Sequence, residues 1–230
     1  MDKRVNFVFL HVGEDIWPHL LIKSIKKFFQ NAFIYQCTDL ITEQIEGVDH
    51  IFRYEGDVSN LMTYRLEVFS KLGLNDYAIY LDTDMLFFNW FDVDKYKVFD
   101  AVLCERSFNK HNFIRVANNK GIDLQEYEGK TLYEVYPYLA CFTITKSFNF
   151  WTECLNILRT LNIKYHHWYG DQEALRIIEQ KNIFKISKVD ESDYACLPEY
   201  VNLNDMPYIV HFKNNNRKKM MVEVAGKYFV

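Results

Sequence analysis

Glycine and proline are scarce in this chain, 8 and 4 residues among 230. That scarcity excludes collagen-like and Pro/Gly-rich low-complexity states. The cysteines Cys37, Cys104, Cys141, Cys154 and Cys196 contain no C-x-x-C pair, so a structural zinc site and a disulfide framework both lack their spacing signal. Reduced thiols in a cytoplasmic compartment are the simplest expectation. No run approaches the ~18 uninterrupted apolar residues of a spanning helix. The mostly apolar stretch 5–10 stops at His11, Gly13, Glu14 and Asp15, with no small-residue cleavage site behind it. The expected protein is soluble, with at most a peripheral association at the inner face of a membrane. Basic excess is absent too: 27 Lys and Arg against 31 Asp and Glu give a net charge of −4, which argues against a nucleic-acid partner.

What the chain has is a core. Apolar residues make up 49% and charged residues 25%, an ordinary globular balance that excludes general disorder. No linker or repeat divides it, and a single domain over 1–230 is expected. Residues 5–10, 33–37, 49–52, 77–81, 99–104, 138–145 and 208–212 read as strands from their β-branched and aromatic runs. Helices are expected after Pro18, over 59–72 with Gly73 as its stop, from Ser147, and near Asp171. Strand and helix alternate, so the fold class is α/β, with a mostly parallel sheet flanked by helices. Residues 105–137 are polar and irregular, and read as an acceptor-side loop region.

The most informative stretch is Tyr77-Ala78-Ile79-Tyr80-Leu81-Asp82-Thr83-Asp84. In extended backbone, residues two apart point the same way, so Asp82 and Asp84 can converge where a buried strand leaves the sheet. Paired carboxylates are hard oxygen ligands for Mg²⁺ or Mn²⁺ and, through the metal, for a diphosphate. They can also be turn carboxylates, with Asp84 capping a helix. His211 lies in the apolar run 208–212, followed by Lys213 and then Arg217, Lys218 and Lys219. Its imidazole can complete a metal shell or be a hydrogen-bonded core residue, and the cations can neutralise phosphates or form a solvated terminus. Asp171 begins an inward-facing stripe with Ala174, Leu175 and Ile178, as a base, a sugar-hydroxyl acceptor or a helix cap. Arg65 shares its helix face with Leu61, Phe69 and Leu72, and there needs either a buried acid or a ligand phosphate. His11-Val12-Gly13 and Thr38-Asp39 exit the first two strands at the same sheet edge and are candidates for nucleotide contacts.

Together these residues resemble a GT-A fold nucleotide-diphospho-sugar glycosyltransferase of the glycogenin and bacterial lipopolysaccharide galactosyltransferase type. The matching pieces are Thr63-Tyr64-Arg65-Leu66, Ile79 to Leu86 with its Asp82-Thr83-Asp84, Gly170-Asp171-Gln172, and His211. The resemblance implies that Asp82, Asp84 and His211 bind a divalent metal, Mn²⁺ or Mg²⁺. It places Thr83 and Arg65 at the donor, Lys213 near the donor phosphates, and Asp171 and Gln172 beside the transferred sugar as the catalytic pair. The implied activity is transfer of a hexose from a nucleotide-diphosphate sugar, a UDP-sugar above all, to a saccharide or lipid-linked saccharide hydroxyl in glycan synthesis. Leu139 and Cys141 stand where the family often has Asn-x-Gly. Two other readings are open: a haloacid-dehalogenase-type phosphatase using Asp82 and Asp84, although Leu86 replaces that motif's usual Thr or Val, and a sugar-nucleotide-binding module without turnover.

Overall fold

Where the sequence runs apolar on consecutive residues, the computed structural model places strands buried on both faces, as parallel sheets require. The structure describes residues 4–114 and 127–229; within the expected loop region 105–137, residues 115–126 lie outside the described residues. The elements in chain order are β1 (Val5–Leu10), α1 (Trp17–Phe28), β2 (Ala32–Thr38), β3 (His50–Arg53), α2 (Leu61–Leu72), β4 (Ala78–Leu81), β5 (Met85–Phe87) and β6 (Ala101–Glu105). They continue with α3 (Leu132–Val135), β7 (Tyr138–Thr145), α4 (Asn149–Thr160), α5 (Lys164–His167), α6 (Gly170–Lys181), β8 (Ile186–Asp190), α7 (Glu191–Tyr194), β9 (Ile209–His211) and α8 (Asn215–Tyr228).

Seven strands form one sheet in the order β3-β2-β1-β4-β7-β6-β8. β7 alone runs against its neighbours β4 and β6, and every other pairing in that sheet is parallel. The period-two rule sorts the strand residues between two apolar layers. Val8, Ala78 and Tyr80 face Tyr64 and Phe69 of α2, Trp151 and Leu158 of α4, and Leu175 and Ile178 of α6. Phe7, Phe9, Ile79 and Leu81 face the opposite layer, made by Leu21 and Ile25 of α1, Phe29, Phe91, and Met85 and Phe87 of β5. There Phe7, Phe29 and Phe87 meet edge to face, with centroids 5.1–5.7 Å apart. Fully burying one such ring is worth about 1.5–3 kcal/mol. The largest fully buried side chains are all Phe, Tyr or Trp, so aromatic rings fill much of the core.

The expected α/β class holds, and Gly73 ends α2 in the left-handed region at φ +68° as a glycine stop should. Besides the short helices α3, α5 and α7, three further elements go beyond the sequence reading. β5 has three residues, too few to show a period, and pairs with β9 as a separate two-stranded sheet. β8 is an edge strand with exposed Lys188, and charge on an edge masks the strand pattern. The basic stretch 213–219 is no solvated tail: Asn214 caps α8, accepting from the Arg217 N–H at 3.3 Å. The helix seats Met221 and Ala225 against Val210, Phe212, Trp17 and Leu20.

Candidate active site

β6 and β8 run parallel to β4, so all three strands end at one edge of the sheet. The first residues beyond them are Asp82, Arg106 and Glu191. All three line a single cleft of about 660 Å³, together with Arg65, Asp84, Asp171, Gln172, His211, Lys213 and Lys218.

Asp82 and Asp84 do converge, but by a different route from the one expected. β4 stops at Leu81, and Asp82–Asp84 form the tight connection into β5 rather than an extended strand. The Asp82 N–H is held by the Cys141 carbonyl of β7 at 3.0 Å. β9 then lies antiparallel to β5 with His211 opposite Met85, and the Phe212 N–H donates to the Asp84 carbonyl at 2.8 Å. This register puts His211 Nε2 3.2 Å from Asp84 Oδ1 and 3.9 Å from Asp82 Oδ2. One ligand atom from each of Asp82, Asp84 and His211 lies within 4.8 Å of the other two. Two carboxylate oxygens and an imidazole at that spacing suit Mn²⁺ or Mg²⁺.

The triad carries its own positive charge. Burial works against ionisation of Asp84, but the His211 hydrogen bond and charge, with Lys218 at 3.4 Å, hold its carboxyl far below the usual range. Burial alone lowers the pKa of His211; neighbouring Cys141 and the Asp84 carboxylate outweigh it and raise the value to about 10. Arg65 ion-pairs with Asp82, reaches Asp171 Oδ2 at 3.2 Å and donates to the Ala140 carbonyl at 3.2 Å. Its acidic partners are thus found, Asp171 buried and Asp82 half-buried, and they more than offset the desolvation of its guanidinium.

Asp171 does not cap its helix; the capping position belongs to Tyr169, which lends no side-chain bond. Asp171 sits one residue inside α6, buried, with its pKa raised by burial and by the Asp82 carboxylate against the pull of Arg65. Tyr169 holds φ +61°, a strained value for a bulky residue, and stacks on Tyr136 at 4.9 Å. A Cβ on Gly170 would stand 2.1 Å from the Tyr165 carbonyl oxygen, so only glycine lets α6 start this close to α5. Gln172 follows, with its Oε1 accepting from Arg106 Nη2 at 3.1 Å.

The other expected contacts are more scattered. His11 and Gly13 line a second depression of about 420 Å³ with Asp15, His19 and Glu43. Val12 packs against the core layer that contains Val8. Thr38 is fully buried and donates to the His11 carbonyl at 2.7 Å, while Asp39 accepts from the Thr42 N–H at 2.8 Å. Thr38 and Asp39 therefore build the loop after β2. Thr83 lies between the two aspartates and lines neither hollow, whereas Lys213 lines the larger one. Sequence reasoning missed Arg106 and Glu191. Arg106 carried no clean signal, because the apolar run ends at Cys104 and Glu105 comes first after it, whereas Glu191 follows a strand that was not foreseen.

No protein-family model matches the sequence, and no curated protein matches it either. Solved structures do match. The glycosyltransferase GlyE of Streptococcus pneumoniae TIGR4 is similar over 97% of this chain and 60% of its own, with a TM-score of 0.63 and 15% identity. The chain thus spans under two thirds of GlyE. The galactosyltransferase LgtC, in complex with donor and acceptor sugar analogs, is similar over 97% of this chain and 96% of its own, with a TM-score of 0.57 and 13% identity. An active-site glutamine-to-glutamate mutant of LgtC gives a TM-score of 0.59 at 13% identity, over the same shares of the two chains. At such identities the likeness establishes a shared fold: the mixed, mostly parallel sheet flanked by helices is that of these glycosyltransferases.

Proposed function

We propose that this chain is a metal-dependent glycosyltransferase, moving a hexose from a nucleoside-diphosphate sugar onto a hydroxyl of a saccharide or lipid-linked saccharide in glycan synthesis. The expected donor nucleotide is UDP. The observation that carries the reading is the triad Asp82, Asp84 and His211, opening into a cleft that also presents Asp171 and Gln172. The fold shared with GlyE and LgtC supports it.

A divalent cation held by Asp82, Asp84 and His211 would supply Lewis-acid neutralisation of the departing diphosphate. The chain's own side chains do the rest. Lys218 lies 3.4 Å from Asp84 and Lys213 lines the same cleft, where both attract phosphate charge. Arg65 ties Asp82 to Asp171, so the donor end and the sugar end are held as one unit. A guanidinium can only donate, so the Gln172 amide turns its oxygen to Arg106 and keeps its NH₂ as the remaining donor. Gln172 is thereby oriented to donate to a sugar oxygen, and Asp171 to accept from a sugar hydroxyl. The depression at His11 and Gly13, at the ends of the first strands, is assigned to the nucleoside, with Val12, Thr38 and Asp39 as its frame.

A phosphatase would need Asp82 free as a nucleophile, whereas Arg65 and His211 engage both of its oxygens. The test is incubation with a panel of nucleotide sugars and Mn²⁺, following free nucleoside diphosphate. The transferase reading expects metal-dependent release that Asp84→Asn severely reduces. Phosphate release from a simple phosphoester, with no response to nucleotide sugars, would sink it. Donor binding that never leads to turnover with any acceptor would favour a binding module.

A further inference from the structure

Arg106 is as buried as Arg65, both 9% exposed, but the two are partnered differently. Arg65 faces two carboxylates. The Arg106 side chain is held by neutral acceptors, Nε on the Tyr136 carbonyl at 2.9 Å and Nη2 on Gln172 Oε1 at 3.1 Å. Among the described residues no carboxylate oxygen comes within 4.0 Å of its guanidinium nitrogens. The nearby acid Glu191 is spent elsewhere: its Oε2 accepts the N–H groups of Ser107 at 3.0 Å and Phe108 at 2.9 Å. Five N–H donors sit on a guanidinium, and these two bonds account for two of them. The Glu191 carboxylate acts on Arg106 through space without pairing, and a guanidinium this buried gains from a closer counter-charge brought by a ligand. The backbone N–H of Arg106 on the Pro137 carbonyl at 2.7 Å anchors the residue at the strand end, and its side chain lines the cleft beside Gln172.

We propose that Arg106 recognises an anionic substituent, a carboxylate or a phosphate, on one of the sugar substrates that enter the cleft. The proposal rests on the transferase reading and adds the substrate class. The planar fork of donors matches two oxygens of such a group, which a neutral hydroxyl cannot offer. The group is not the donor diphosphate. Arg106 bonds Gln172 at the sugar end, and among the described residues it makes no hydrogen bond or ion pair with Asp82, Asp84 or His211. Lys213, exposed and free of any ion pair among the described residues, lines the same cleft and adds positive charge to it.

Isothermal titration in the presence of Mn²⁺ tests this in two arms. The donor arm compares UDP-glucuronate and UDP-galacturonate with UDP-glucose and UDP-galactose. The acceptor arm, with UDP added, compares glucuronate and galactose 6-phosphate with glucose and galactose. One arm is expected to favour the charged member by about tenfold or more, as a charge-assisted pair should, and that arm identifies the substrate bearing the group. Arg106→Gln is expected to cut the preference to within about twofold, and Arg106→Lys to keep part of it. Melting curves check that the variants fold. Should Arg106→Gln not fold, the wild-type comparison and Arg106→Lys decide. Charged and neutral ligands binding alike in both arms, or a preference that survives Arg106→Gln, overturns the proposal while nucleotide-sugar binding leaves the transferase reading standing. Failure of every nucleotide sugar to bind overturns both.

Discussion

The two ends of the cleft handle buried charge in opposite ways. At the Asp82–Asp84 end every carboxylate meets a cation: Asp82 meets Arg65, and Asp84 meets His211 and Lys218. At the other end Arg106 and Glu191 stand near one another without pairing, the first on carbonyl oxygens and the second on backbone N–H groups. The first arrangement is closed on itself and has to exchange a side-chain cation for an incoming one. The second is left open, with hydrogen-bonding capacity directed at whatever enters. The proposed metal site and the proposed recognition site are thus told apart by how their charges are satisfied rather than by how many there are.

The sharpest way to break the comparison is at the triad. Asp84→Asn is expected to reduce Mn²⁺-dependent release of nucleoside diphosphate by roughly 10²–10³-fold, measured by a coupled nucleotide assay. The preference that depends on Arg106 should survive in any residual binding. Equal losses at both ends would mean that the cleft acts as one electrostatic unit.

Next in size is Arg65→Met, which strands Asp171 with no cation and removes the partner of Asp82. Breaking a buried pair costs about 3–5 kcal/mol, and the value should fall near 3 kcal/mol because the Asp82 side chain is 32% exposed. Urea unfolding measures it. A loss under about 1 kcal/mol would show that the pair is only local decoration, as for surface pairs.

Glu191→Gln probes the open end through pH. Burial raises the Glu191 carboxyl above its ordinary value, so its ionised form opposes folding. Its contribution is favourable below the ordinary range near 4 and is lost as pH rises through the raised value. Replacement by Gln keeps an oxygen for the Ser107 and Phe108 N–H groups. The variant should therefore be more stable than the wild type at pH 7 and no more stable near pH 3, read from denaturation midpoints at the two pH values. A gain of the same size at both would refute the burial account.

The smallest effect is expected for Lys218→Met. The lysine side chain is 28% exposed, and a pair so placed contributes under about 1 kcal/mol to stability. Thermal melting checks this, and a larger loss would mean that Lys218 is part of the frame of the triad.

Much of the architecture was legible because its strands are buried on both faces. Residues 78–81 and 138–145 read as apolar runs, and each is buried at every position. The helix faces of α2 and α6 were legible for the same reason, and Arg65 stood out as a charge on an apolar stripe. The parts that stayed hidden lacked a periodic signal. β5 is three residues long, β8 is a charged edge, and α8 buries only Met221 and Ala225. At the site, Asp82, Asp84 and His211 were readable as residue types, but their meeting depends on the β5–β9 pairing, a contact between residues over 100 positions apart. Arg106 escaped because the apolar run of its strand stops at Cys104, and the observed strand extends one residue further through Glu105.

The central claim, that the triad holds a cation which in turn holds the donor diphosphate, is tested most directly by titrating Mn²⁺ into the protein by electron paramagnetic resonance, with and without UDP. The account predicts Mn²⁺ binding that UDP tightens, and a loss of affinity in Asp84→Asn of at least about tenfold. Mn²⁺ affinity unchanged in Asp84→Asn, or UDP binding equally well in the presence of excess chelator, would contradict it.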